Sequence, residues 1–217
     1  ISAHTSESLP SGALMPALAT PNVHDRAAVA SALRRVLDRV GAPRRAGLII
    51  PDLVAKVSLL RFEQVPERTA DLEQLVRWQV KKTAPFPIED AQICFEAGQR
   101  AADGQEFVVS LAKRAVVEEY ESLCAEAGVH AGIVDLATFN VINAALASLS
   151  PGTAESSFDW LVVHVAADCA SIAILRGPHL IFFRSRPTDG EGTLADVVHQ
   201  AVIDRKSTRL NSSHVSE

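Results

Sequence analysis

The sequence has no surplus of positive charge. Its 217 residues carry 21 Lys and Arg against 26 Asp and Glu, a formal net charge of −5. Such a balance gives no broad basic field for nucleic acid or anionic lipid, so only local basic clusters remain to be weighed. Paired cysteines are missing as well. Cys94, Cys124 and Cys169 make an odd set with no CxxC spacing, which argues against a disulfide framework and against a thiolate zinc site. The expectation is small buried thiols in a reducing compartment. Long apolar runs are also absent. The nearest candidates, "WLVVHVAADCASIAIL" and "LIFFR", are broken by His164, Asp168 and Arg176, short of the ~20 residues a membrane-spanning helix needs. The opening "ISAHTSESLPSG" has neither the basic start nor the apolar centre of a signal peptide. It begins with Ile rather than Met, which reads as a fragment.

What is present is ordinary for a globular protein: 47% hydrophobic and 22% charged residues, enough chain for one large domain or two small ones. After an irregular Ser- and Pro-rich start, "NVHDRAAVASALRRVLDRVGAP" predicts a helix that Asn22 or Asp25 can cap. Val29, Leu33, Val36, Leu37 and Val40 recur at helical spacing, and Gly41 with Pro43 ends the run. "RAGLIIP" and "AKVSLLRFEQVP" predict strands. A strand–helix–strand rhythm has begun, with its opening strand expected to be missing.

A second helix follows in "LEQLVRWQVKKTAPFPIED". Leu72, Leu75, Val76 and Val80 form its apolar stripe, and Pro85 should stop it near Ala84. "AQICFEAGQ" and "QEFVVSLAKR" predict a hairpin across "AADG". "AVVEEYESLCAEAG" predicts a helix closed by Gly128, and "VHAGIVDLATFNVINAALAS" a short strand with a helix from near Asp135. "SPGTAESS" has linker composition. "FDWLVVHVAADCASIAILRGPHLIFFRSRP" predicts two or three adjacent strands, and "TLADVVHQAVID" a helix. The last residues, 205–217, turn abruptly polar and aperiodic; they are expected to be a disordered tail foreign to the fold.

Trp78 lies off the apolar stripe, beside Arg77, Lys81 and Lys82. It has two readings, packing inside its own unit or contact with a partner. The basic trio could meet an acidic partner or lipid headgroups, or be a solvated face. Phe86, between two prolines, reads as a wedge fixing the helix exit. His164 reads as a core histidine, because no second metal ligand stands at a useful spacing. Cys169 and His164, taken as lying on one strand, should point to opposite faces and so not form a nucleophile pair.

The ordered set "RTADLEQLVRWQVKKTAPFPIEDAQICFE" then "EFVVSLAKRAVVEEYESLCAEAGVHAGIVDL" resembles the PilM family of actin-like, cytoplasmic type IV pilus assembly proteins. The similarity covers roughly residues 9 to 200. It implies an α/β, actin-like (ribonuclease H-like) chain cut at both ends. Residues 1–62 and 131–157 would form the first lobe without its N-terminal hairpin, 63–130 an inserted α+β subdomain, and 158–204 the start of a second lobe. The family holds ATP and Mg²⁺ between its lobes, with an Asp-x-Gly signature on each phosphate hairpin. At the second hairpin this chain has His164-x-Ala166 instead. An Asp would help hold the metal and its water, and a Gly lets N–H groups approach a phosphate. No catalytic, cofactor or metal residue is therefore assigned, and no cofactor is expected. The resemblance further implies a scaffold at the inner-membrane platform. Its partner would be a PilN-like membrane protein, whose short cytoplasmic peptide lies in a groove between first lobe and inserted subdomain. Arg77, Trp78, Lys81 and Phe86 are the candidate contacts. A ring or oligomer within the assembly, no nucleic acid and no direct membrane insertion complete the expectation. Two alternatives stand beside it: a GspL-like component of a type II secretion system, and an ATP-hydrolysing member whose catalytic loops lie in other sequence.

Overall fold

The Asp25 carboxylate accepts a hydrogen bond of 2.9 Å from the Ala28 N–H, so Asp25 caps α1 (Arg26–Arg39). The computed structural model describes residues 3–148 and 159–188. In order after α1 come β1 (Arg45–Ile50), β2 (Ala55–Phe62), α2 (Thr69–Lys81), β3 (Ala91–Ala101), β4 (Gly104–Lys113), α3 (Arg114–Glu126), β5 (His130–Leu136), α4 (Ala137–Ser148), β6 (Asp159–Val165), β7 (Cys169–Arg176) and β8 (His179–Pro187). The linker at 150–157, the helix expected at 193–204 and the tail at 205–217 lie outside the described residues.

The contacts divide the chain into two compact units. The first takes Ile1–Lys56, Pro66–Cys94 and Ser110–Asn140. Its core joins Ala13 of the irregular start to Val29, Ala30 and Leu123, with Leu9, Leu14, Val23 and Leu33 packed around them. Asn22 is fully buried and does not cap α1. Its amide bonds the Ala17 N–H and the Ala17 and Thr20 carbonyls, and its oxygen accepts from the Tyr120 hydroxyl at 2.9 Å. Glu119 accepts the Asn22 and Val23 N–H groups at 2.7 and 3.1 Å. Arg35 and Arg39 pair with Glu7, and the Arg35 bond holds its carboxyl below the ordinary carboxylate range. The irregular start is thus tied to α1 and α3 by side chains rather than by regular structure.

β1 and β5 pair in parallel, with Gly47 opposite Ile133 and Ile49 opposite Asp135. Buried Asp52, in a short 3₁₀ turn after β1, accepts from the Thr138 N–H at 3.0 Å and its hydroxyl at 2.5 Å. A carboxylate there satisfies a free N–H group at the start of α4 and meets the positive end of its dipole. On the face that Gly47 shares with Ile133, Ile49 and Ile133 are 55% and 69% exposed. Parallel sheets are ordinarily covered on both faces.

The second unit holds Val57–Val65, Phe95–Val109 and the chain from Val141 onward. Two three-stranded sheets run β2-β4-β3 and β6-β7-β8. Phe107 stacks against Phe62 and Phe95, with ring centroids at 5.8 and 6.0 Å. At Gly104, φ is +139° and a Cβ would stand 2.5 Å from the Phe62 carbonyl oxygen. Only glycine fits this hairpin corner. β7 is buried along almost its whole length, as expected for a central strand.

Two sequence expectations need correction, and one helix start is sharpened. α2 ends at Lys81, not near Ala84, because the Thr83 N–H and hydroxyl turn back onto the Val80 carbonyl before Pro85 intervenes. The helix expected from near Asp135 is α4, which starts at Ala137; Asp135 itself remains in β5, with its carboxylate accepting from the Leu136 N–H and the Asn140 amide. His164 and Cys169 do not share a strand. A turn at 166–168 separates β6 from β7, and the register sets His164 opposite Ser171, so both side chains lie on one face. Alternation held within each strand, but the turn reversed its consequence. Cys169 is 1% exposed.

Two outcomes follow from this packing. In urea denaturation, Tyr120→Phe should cost about 1 kcal/mol for the lost bond to Asn22, and Asn22→Ala about 1–3 kcal/mol, because it strands several buried partners. The 217-residue chain should elute as associated species in size-exclusion chromatography. Ile133→Thr, which keeps a strand-forming side chain, should shift it toward monomer.

Candidate functional site

The residues expected to meet a partner all lie on or just after α2. Val76 and Val80 are buried and Leu72 and Leu75 half-buried, so the apolar stripe faces inward as the spacing predicts. Arg77 donates from Nη1 to the Ile88 carbonyl at 2.9 Å. It bridges the helix to the far side of the Pro85-Phe86-Pro87 turn and fixes the geometry there. Lys56 reaches the Thr83 carbonyl at 3.0 Å and closes the helix end. Phe86 is half-buried between its exposed prolines. Trp78 is 58% exposed, so it is not a core residue of its unit. The Lys82 ammonium lies 3.9 Å from the Trp78 ring centroid, a cation–π distance. Lys81 is exposed. The fold brings Trp78, Lys81 and Lys82 to one helix end and assigns Arg77 a structural bond.

A second feature escaped the sequence reading. A surface cleft of about 840 Å³ opens along the outer side of α3 and the start of β5. Its lining combines Ala125, Val129 and Ala131 with Arg44, Glu118, Glu121, Ser122 and His130. Gly128, with φ +79°, makes the left-handed turn that ends α3. The Val129 N–H then returns to the Cys124 carbonyl at 2.9 Å. This turn buries Val129 and swings His130 out, where its N–H bonds the Arg44 carbonyl at 3.0 Å. The cleft therefore has apolar wall area and both signs of charge, the mixture that suits a peptide segment. None of Arg77, Trp78, Lys81 and Phe86 lines it. The Gly128 signal was visible in the sequence, but the distance between Arg44 and Glu118 along the chain hid the cleft.

The hairpin aligned with the family's second phosphate loop differs in chemistry. The Ala166 N–H donates to the Cys169 carbonyl at 2.8 Å, and the Asp168 carbonyl accepts from the Thr188 N–H at 3.0 Å. Position 164 carries no carboxylate and position 166 no glycine.

The family profile "Type IV pilus assembly protein PilM" matches residues 1–206. The chain belongs to the PilM family. Among solved structures it is similar to the PilM–PilN type IV pilus biogenesis complex, with TM-score 0.71 and 22% identity over 85% of this chain. It spans about half of that relative, 54% of its length. It is also similar to the cytoplasmic domain of EpsL, an inner-membrane component of the type II secretion system of Vibrio cholerae, with TM-score 0.49 and 13% identity over 73% of this chain and 56% of that one. A Bacteroides thetaiotaomicron protein with an actin-like ATPase fold aligns with TM-score 0.47 and 10% identity over 87% of this chain and 65% of that one. No curated protein matches the chain. The family match and the first of these structures give it the mixed α/β fold of PilM proteins.

The inner side of α3 yields a prediction. Cys124 is buried, and burial first, with Glu121 second, pushes its thiol pKa up. Cys94 is exposed. A thiol reagent at neutral pH should therefore modify Cys94 first, with Cys124 following only on unfolding, as read by mass spectrometry.

Proposed function

We propose that the chain is a cytoplasmic scaffold of type IV pilus assembly that holds a short cytoplasmic peptide of a PilN-like inner-membrane protein in the cleft beside α3. The family match over residues 1–206 carries the reading. Its fold likeness to the solved PilM–PilN complex agrees with it. The location rests on the cleft. Arg44 and Ala131 come from segments assigned to the first lobe, and Glu118 to His130 from the inserted segment. A groove at that boundary is what the resemblance implied. Apolar side chains of a bound peptide would rest against Ala125, Val129 and Ala131, and its polar groups would meet Arg44, the glutamates and His130. This role is binding without a catalytic step. His164-x-Ala166 supports that reading, because the hairpin lacks both the carboxylate and the glycine that phosphate chemistry would use. The chain would sit at the membrane through its partner.

The test is titration of a labelled cytoplasmic peptide from a PilN homologue, read by fluorescence anisotropy. Saturable binding is expected. Ala125→Trp, at an exposed helix position in the cleft, should weaken it by about tenfold or more, a loss of ~1.4 kcal/mol, with the circular dichroism unchanged. Absence of binding by the folded chain would remove the partner, and unchanged binding by Ala125→Trp would remove the cleft.

A further inference from the structure

We propose that the C-terminal turn of α2 is a membrane-surface contact, in which Trp78, Lys81 and Lys82 engage the anionic headgroups of a lipid bilayer. The inference stands on α2 alone and does not depend on the peptide reading, since none of the three lines the cleft.

The starting observation is an indole 58% exposed at the end of a helix whose other large apolar residues turn inward. Leaving that ring in water forgoes the stabilisation its burial would give. Lys81 and Lys82 follow it at i+3 and i+4, so all three share one flank. Lys82 already sits 3.9 Å from the ring centroid. Lys81 makes no ion pair among the described residues. One turn earlier the flank carries Gln74 and Leu75, both uncharged, and the nearest acid on it is Asp71, two turns back. A cationic flank with an amphipathic ring thus stands on a chain of net charge −5. Arg77 is outside the set, because it holds the Ile88 carbonyl.

Exposure and charge favour one class of partner. Peptides are recognised in grooves or along strand edges. Trp78, Lys81 and Lys82 instead stand exposed on one flank of a helix, followed by exposed Pro85 and Pro87. A bilayer interface accepts such a surface. Indole rings settle at headgroup depth, and lysine stems lie along apolar area while the ammonium stays at the phosphates. Each lysine near an anionic surface contributes about 1 kcal/mol, roughly fivefold in partitioning. One ring and two lysines give weak, reversible binding. Such a contact orients a protein that another interaction already holds near the membrane.

The probe is vesicles of phosphatidylcholine, alone or mixed with phosphatidylglycerol, at low ionic strength. Trp160→Phe leaves Trp78 as the only indole of the two in the chain. Its emission should move to the blue and be quenched by brominated lipid with mixed vesicles, but not with phosphatidylcholine alone. The unsubstituted chain should float with mixed vesicles, a readout that needs no substitution. Lys81→Glu with Lys82→Glu should lower partitioning by about tenfold or more, and Trp78→Ala should lower it as well. Flotation unchanged in the double variant, or Trp78 emission that mixed vesicles leave in place, overturns the proposal. A shift produced by a poly-glutamate peptide and not by vesicles also overturns it and assigns the flank to an acidic protein.

Discussion

Asn22 is fully buried, and its bonds join the irregular N-terminal segment to Tyr120 of α3, a contact across 98 residues of sequence. Glu119, one position earlier on α3, takes two N–H groups from the same segment. Closing so long a loop costs chain entropy; several satisfied buried bonds and the Ala13–Leu123 packing offset it. The consequence reaches the outer side of α3. Glu118, Glu121, Ser122 and Ala125 line the cleft because the inner side of that helix is fixed by Tyr120, Leu123 and Cys124. Without the anchor, α3 would keep its helical spacing and lose its place.

α2 shows how neighbouring positions on one helix divide their work. Arg77 and Trp78 are adjacent in sequence, about 100° apart around the axis. That rotation sends the guanidinium to the Ile88 carbonyl and leaves the indole in solvent beside Lys82. The Pro85-Phe86-Pro87 turn needs the first of these contacts, because a stiff turn holds its direction only if its far side is tied down. The two functions proposed here thus sit on separate surfaces. The cleft beside α3 suits a peptide, and the end of α2 suits an interface.

Much of the architecture was legible in local pattern. The α2 stripe, the α3 stripe closed by Gly128 and the strands on either side of Arg176-Gly177-Pro178 appear where spacing placed them. The family resemblance was legible because it lay in the order of such elements. The misses have different causes. His164 and Cys169 came to one face through a turn at 166–168 that no glycine or proline marked. Asn22 looked like a helix cap and became a buried hub, because a short polar side chain can satisfy either role and only a distant Tyr120 chooses between them.

The sequence by itself determined where the helices and strands fall, which side chains could cap or break them, and that the second phosphate hairpin carries His164 and Ala166. These are matters of local backbone sterics and of residue identity. Only the tertiary structure decided that Arg44 meets Glu118 and His130 in one cleft, that Trp78 stays exposed, and that Arg77 is committed to a turn. Each of these depends on which distant surface covers a residue, and periodicity along the chain carries no record of that.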